Sequence, residues 1–338
     1  MDALKLAAWQ LGELERLEEL TGELARTLRA QPEDEFYLQF VLLESAFAPL
    51  GAGRFEEAIA RIEEALALLR QRGRLIHEPL FIDALCWAYR SRGDYERALA
   101  SGSGASELAH QIGHHEWAAW ADATLGWALL DARVPAAAVT CLERGMQTAE
   151  GASAPAQLVR CVALLAWARS MLGEHALAAA LATRADELLS EVTTPPDGAW
   201  LFGAHAYLAV ARAYTGCGYA ERAEVLLWPV VAAAERTGWK EPIACGWLVI
   251  GQARAVLDDD SAAEAALVRS LEVAGAAGLP APAWEAHKTL AELLHKVGRQ
   301  TQAGVHAQQA RRILHELVEP LSDPALRAGL LAQVPAPT

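Results

Sequence analysis

The stretch Gly53-Arg54-Phe55-Glu56-Glu57-Ala58 decides how this chain reads, because forty residues later it returns as Gly93-Asp94-Tyr95-Glu96-Arg97-Ala98. Weaker copies follow at Arg133–Ala138, Gly173–Ala178, Gly218–Ala223, Asp258–Ala263 and Gly298–Ala303. The closing alanines stand at 58, 98, 138, 178, 223, 263 and 303, so every step but one is 40 residues. The single 45-residue step holds Thr193-Thr194-Pro195-Pro196-Asp197-Gly198, which reads as an inserted turn. An earlier copy, Gly12–Leu17, makes eight. A fixed period in this range marks a stack of repeats, each burying its apolar face on the next.

Each copy carries the same local physics. Seven residues before the corner stands a small residue: Ala46, Cys86, Gly126, Ala166, Ala211, Gly251 or Ala291. A large apolar residue precedes most of them, as at Leu85, Leu125, Leu165, Val210, Ile250 and Leu290, so two helices can approach closely there and interlock. The glycine ends the first helix, since it tolerates the left-handed cap conformation. Phe55 or Tyr95 then covers the corner, and the alanine opens the buried face of a second helix. That face continues at helical spacing through Ile59, Ile62, Leu66 and Leu69. Second helices are predicted to end near Gly73, Gly113, Gly151, Gly238 and Gly278. The expected fold is all-α: about sixteen helices in about eight helix-turn-helix repeats over residues 1–317, with a helical, Pro-containing tail over 318–338.

Composition agrees and excludes several function classes. With 53% hydrophobic residues and abundant Ala and Leu, the chain is neither disordered nor low in complexity. The net charge of −14, with no basic stripe, argues against nucleic acid as a direct partner. No apolar run is long enough for a membrane helix and the N-terminus lacks a signal-peptide pattern, so no membrane partner is expected and the location is read as cytoplasmic. Five scattered cysteines, none spaced C-x-x-C, read as reduced, buried thiols. No phosphate-binding loop, dinucleotide fingerprint, nucleophile elbow or zinc-protease helix occurs, so the chain reads as no enzyme, with no cofactor and no metal. His110 and His114 share a helical spacing, but Gly113 breaks the helix between them, which makes a solvated helix end. Ser101-Gly102-Ser103-Gly104 lies inside a second helix and reads as a flexible or kinked segment.

The order small residue, helix, glycine-x-aromatic corner, alanine, helix resembles the tetratricopeptide repeat, over nearly the whole chain from Leu4 to about Leu317. The 40-residue period exceeds the ~34 of that repeat. Longer repeats of this kind resemble the C-terminal sensor regions of MalT-like and AfsR-like bacterial signal-transduction ATPases. The resemblance implies a right-handed superhelix whose concave groove binds a peptide, a protein segment or a small effector, and regulates a partner signalling domain. A stand-alone scaffold that assembles proteins without sensing is the alternative. Six residues before successive corners stand Phe47, Trp87, Trp127, Trp167, Arg212, Gln252 and Glu292, at the position that lines the groove in the tetratricopeptide family. The same carry-over adds Phe40, Asp83, Arg90, Trp120, Arg160, Ser170, His205, Thr215, Lys288 and His295. Two readings of the tryptophan ladder stand side by side: rungs of a binding groove, or wedges packed between neighbouring first helices. The first copy has a leading helix of only ten residues, Asp2–Leu11, so the chain reads as a piece of a longer polypeptide whose terminal repeats can self-associate.

Overall fold

A computed structural model describes residues 2–30, 37–73, 75–192 and 203–335. The helices run in pairs. The first two pairs are α1 (Asp2–Leu11) with α2 (Leu14–Ala30), and α3 (Leu38–Ser45) plus α4 (Phe47–Gly51) with α5 (Phe55–Gln71). Next come α6 (Glu78–Arg92) with α7 (Tyr95–Gln111), α8 (His115–Asp131) with α9 (Pro135–Gly151), and α10 (Pro155–Met171) with α11 (His175–Val192). The last three are α12 (Gly203–Gly216) with α13 (Ala220–Thr237), α14 (Lys240–Val256) with α15 (Asp260–Ala277), and α16 (Pro280–Lys296) with α17 (Gln300–Val318). A short α18 (Pro324–Leu331) closes the chain, and no strand occurs among the described residues. The insertion at 193–198 lies outside the described residues.

Backbone geometry follows the repeat. Gly12, Gly53, Gly93, Gly173, Gly218 and Gly298 all have positive φ. So do Arg133 (62°) and Asp258 (59°), which occupy the same corner position without being glycine. Second helices end on positive-φ glycines at 73, 113, 238 and 278. The exception is α9, which runs through Gly151 and turns at Ser153 (φ 52°). Eighteen α-helices stand among the described residues where about sixteen are expected, for two reasons. Pro49 has no N–H to give the Ser45 carbonyl, and its ring crowds that carbonyl, so the first helix of the second pair breaks at Ala46. Arg61 Nη1 donates to the freed Ser45 oxygen at 2.6 Å. The other addition is α18, whose Leu326 and Leu330 are buried with Leu314 and Leu317 against the last pair.

Gly102 does not kink its helix. It lies within α7, and a Cβ there would come within 2.9 Å of Cys86 Sγ and 3.1 Å of Leu125 Cδ1. The glycine therefore serves close packing of α7 on α6 and α8. His114 caps α8, its Nδ1 accepting from Trp117 N at 3.3 Å, while His110 contacts Asp122 at 3.1 Å.

The superhelix returns on itself after five pairs. A Cβ on Gly53 would stand 2.8 Å from the Ala277 carbonyl, and one on Gly93 would stand 2.6 Å from both Leu317 and Pro280. The corners of the second and third pairs thus rest on the ends of the seventh and eighth. A Cβ on Gly51 would likewise stand 2.7 Å from Nε1 of the Trp239 indole. Ser322 N donates to Glu96 at 3.1 Å, and α18 sits on the Arg133 carbonyl through Gly329, sealing the third and fourth pairs to the eighth.

Candidate functional site: an aromatic recess beside a closed interior

First helices carry the tryptophans inward, and the coil's return decides what each one meets. In the middle of the molecule it meets the chain itself. Arg90 of α6 donates to Asp131 at 2.6 Å and to Glu241 of α14 at 2.5 Å, with its guanidinium 3.4 Å over the Trp127 ring. Ser91 Oγ donates to the other Glu241 oxygen at 3.1 Å, and His205 Nε2 lies 3.7 Å from it. One pair further along, Glu285 of α16 accepts from Arg133 at 2.7 Å and from Arg212 at 2.9 Å. Arg212 stacks over Trp167 and Arg133 over Trp284, each at 4.7 Å. Trp87 lies flat beside Trp239 at 6.1 Å and edge-on to His205 at 5.2 Å.

The electrostatics suit a dry ionic core. Burial pushes the Glu241 carboxyl up, but Arg90 and His205 outweigh it and hold it well below the carboxylate range. Burial likewise opposes ionisation of Glu285, and Arg133 with Arg212 overcome it, bringing it down to about 2. Burial lowers the His205 imidazole despite Glu241, which favours its neutral form. The space remaining among Arg90, Trp127, Trp167, His205 and Arg212 is about 20 Å³, room for about one water. Of the residues expected to line the groove, Arg90, Trp127, Trp167, His205 and Arg212 are therefore enclosed by the chain's own α14 and α16. Trp87, at 3% exposure, packs with them along one flank. Arg160 is buried over Trp120 at 4.9 Å, its Nη2 donating to Thr124 at 3.2 Å. Gln252 and Lys288 are half-buried and reach Thr289 (3.5 Å) and Gln333 (3.4 Å), and Glu292 is exposed. These three do not converge with the others.

Towards the N-terminus the inner surface opens into a recess of about 230 Å³ between α3, α4, α6 and α8. It brings together five of the expected residues: Phe40, Phe47, Asp83, Trp87 and Trp120. Leu43, Leu80 and Ala84 also line it, and so do Trp117, Glu44 and Glu116. The carry-over omitted these six, although Trp117 stands three residues before Trp120 on one helix face, a spacing that places the two side by side. Trp117 is held by a parallel stack on His114 at 3.7 Å. Phe47 and Trp87 pack at 5.7 Å.

Asp83 is the unusual group. It is 3% exposed; Oδ2 accepts from Trp120 Nε1 at 2.7 Å and Thr124 Oγ1 at 3.2 Å, whereas Oδ1 has no hydrogen-bond partner. Burial raises its carboxyl to about 7 against the pull of Arg160. Glu44 is paired with Lys5 at 2.5 Å, and Glu116, on the exposed first turn of α8, accepts from Gln157 at 3.3 Å.

No family model matches this sequence, and no curated protein matches it. Solved structures do. A Rap protein complexed with competence and sporulation factor superposes with a TM-score of 0.65 at 14% identity, covering 94% of this chain and 98% of that one. The Rap conjugation gene regulator of plasmid pLS20, in complex with the Phr* peptide, gives 0.65 at 14% identity over 86% and 77%. Aspartyl phosphate phosphatase F from Bacillus subtilis gives 0.58 at 13% identity over 88% and 74%. At this identity the likeness is one of fold: a tetratricopeptide-like helical solenoid.

Proposed function

We propose that the chain is a non-catalytic recognition module whose inner face holds an extended peptide or a segment of a partner protein, anchored in the recess at Phe40, Trp117 and Trp120. One observation carries the reading. The recess is walled by five aromatic rings, on an inner surface that the chain's own ion pairs fill elsewhere. Large rigid rings supply contact area at low entropic cost. The fold likeness to Rap proteins solved with competence and sporulation factor and with the Phr* peptide supports it. Burial pushes all five thiols up, which suits packing rather than nucleophilic chemistry. No helix among the described residues is long and apolar enough to cross a membrane.

The finer reading follows the MalT-like and AfsR-like resemblance: a cytoplasmic sensor whose occupancy, by peptide or small effector, regulates a partner signalling domain. Calorimetry with pentapeptide libraries tests the recess. Trp117→Ala and Trp120→Ala should each weaken binding at least tenfold with unchanged far-ultraviolet circular dichroism, and undiminished binding by both would remove the recess from the reading. A sensor should also change its scattering profile on saturation, whereas a scaffold should not.

A further inference from the structure

We infer that the recess is a receptor for a monocationic organic group, an alkylammonium or a guanidinium, held between Asp83 and the ring faces of Trp117 and Trp120. This rests on the recognition reading and names the chemistry of the anchored group. Three carboxylates, Asp83, Glu44 and Glu116, line the recess, and no Lys, Arg or His lines it among the described residues. A buried carboxylate oxygen without a donor is costly, and native structures keep few such groups. Asp83 Oδ1 is one of them.

The chain's own nearby cations do not satisfy that oxygen. Lys5 is held by Glu44 at 2.5 Å and Arg90 by Asp131 and Glu241, while Arg160 attracts Asp83 from one side of Trp120 but gives its Nη2 to Thr124 and no hydrogen bond to Oδ1. Glu116 meets only the Gln157 amide among the hydrogen-bond partners described for it. Tryptophan faces attract a desolvated cation electrostatically, and do so better than other rings. A group without a donor would leave Asp83 Oδ1 unsatisfied, a neutral donor would satisfy it without offsetting the carboxylate charge, and an anion would meet Asp83 and Glu116, Glu44 being already offset by Lys5. Size permits the assignment, since a cavity of about 150 Å³ already takes a benzene ring. Preorganisation helps as well: the His114 stack fixes Trp117 and the Asp83 hydrogen bond fixes Trp120, so little side-chain freedom is lost on binding.

The test uses the full chain and two kinds of probe. Pentapeptide libraries fixed at the central position as Arg, Lys, citrulline, norleucine or Glu are titrated by tryptophan fluorescence and calorimetry, alongside free butylammonium. The Arg and Lys libraries should bind at least tenfold more tightly than the citrulline and norleucine libraries. Asp83→Asn should reduce that preference to within twofold, and Glu116→Gln, an exposed substitution, should reduce it partly with the fold intact. Equal binding of neutral and basic libraries would overturn the cation assignment while leaving peptide recognition standing. Binding of butylammonium without any peptide would sustain the cation assignment, identify a free amine as its source and overturn the peptide reading. Preference for the Glu library, or no binding by any probe, would overturn the assignment.

Discussion

Replacing Glu285 by glutamine tests the closure of the coil where two arginines meet one acid. Glu285 accepts from Arg133 at 2.7 Å and from Arg212 at 2.9 Å, and none of the three side chains is more than 10% exposed. Its carboxyl titrates at about 2 in the folded chain against a reference of 4.5. At about 1.4 kcal/mol per pH unit, that difference corresponds to roughly 3 kcal/mol of stability. Removing one partner of a buried ion pair costs about 3–5 kcal/mol, because the remaining charge is stranded, so two independent gauges agree. Glu285→Gln should therefore lose about 3 kcal/mol at neutral pH. The sign of the pH dependence follows from the depressed folded value. The contribution is complete above the unfolded carboxyl's pKa and is lost as pH falls through about 2. The stability gap between wild type and variant should stay constant from neutral pH down to about 5 and close below that. Urea unfolding followed by tryptophan fluorescence measures the gap, and hydrogen exchange on α16 localises it, since repeat arrays can unfold in parts. A gap below about 1 kcal/mol at neutral pH would refute the buried pairing. So would a gap that persists undiminished into acid.

Three further outcomes follow from particular positions. Gly93→Val sets a Cβ 2.6 Å from Leu317 and Pro280 at a φ of +86°, so it should cost at least about 2 kcal/mol; a melting temperature equal to wild type would mean the turns of the coil do not touch there. Ser153→Gly relieves a left-handed φ of 52° and should gain about 0.5–1 kcal/mol in urea unfolding, with any loss counting against the assigned turn. Asp83 has a raised folded pKa, about 7, so its ionisation should destabilise the fold as pH climbs from about 4 through 7. Asp83→Asn should match wild-type pH behaviour in acid and gain on it by up to about 4 kcal/mol in mild base; parallel pH profiles would show that the carboxyl is solvated.

How much of this was legible in the sequence depends on how far apart the interacting residues stand. A helix pair is local: the corner at Gly93 caps α6, and the Phe55 or Tyr95 that covers a corner lies two residues after its glycine, so a 40-residue period displays both. Arg133 and Asp258 take the left-handed corner without glycine, and only the constant spacing reveals them. Gly151 misled because a glycine near a helix end looks like its cap, whereas the chain turned two residues later. Half of the recess was legible for the same local reason. Phe40, Phe47, Asp83, Trp87 and Trp120 recur on one face of successive first helices, and neighbouring first helices must stack.

The closed interior was not legible, because its pairs join residues that no local period connects. Arg90 and Glu241 stand 151 positions apart, and Arg212 and Glu285 stand 73 apart. The change from tryptophan to Arg212, Gln252 and Glu292 along the ladder favours, in sequence, a groove over a core, since core positions rarely accept charge. In the folded chain the opposite holds at Arg212. Arg212 is buried because Trp167 offers it a ring face and Glu285 a carboxylate, and a guanidinium tolerates burial when both are present. Whether a solenoid's inner face is groove or core thus rests on the pitch of the superhelix. Pitch in turn rests on how closely successive turns approach, at Gly51, Gly53 and Gly93 against Trp239, Ala277 and Pro280. Those glycines hold two roles at once: Gly53 and Gly93 end a helix, which the repeat displays, and each admits a neighbour from five pairs away. An isolated repeat would keep the first role and lose the second, so the ionic core at Glu241 is a property of the whole coil, whereas the recess at Asp83 is built by three successive pairs.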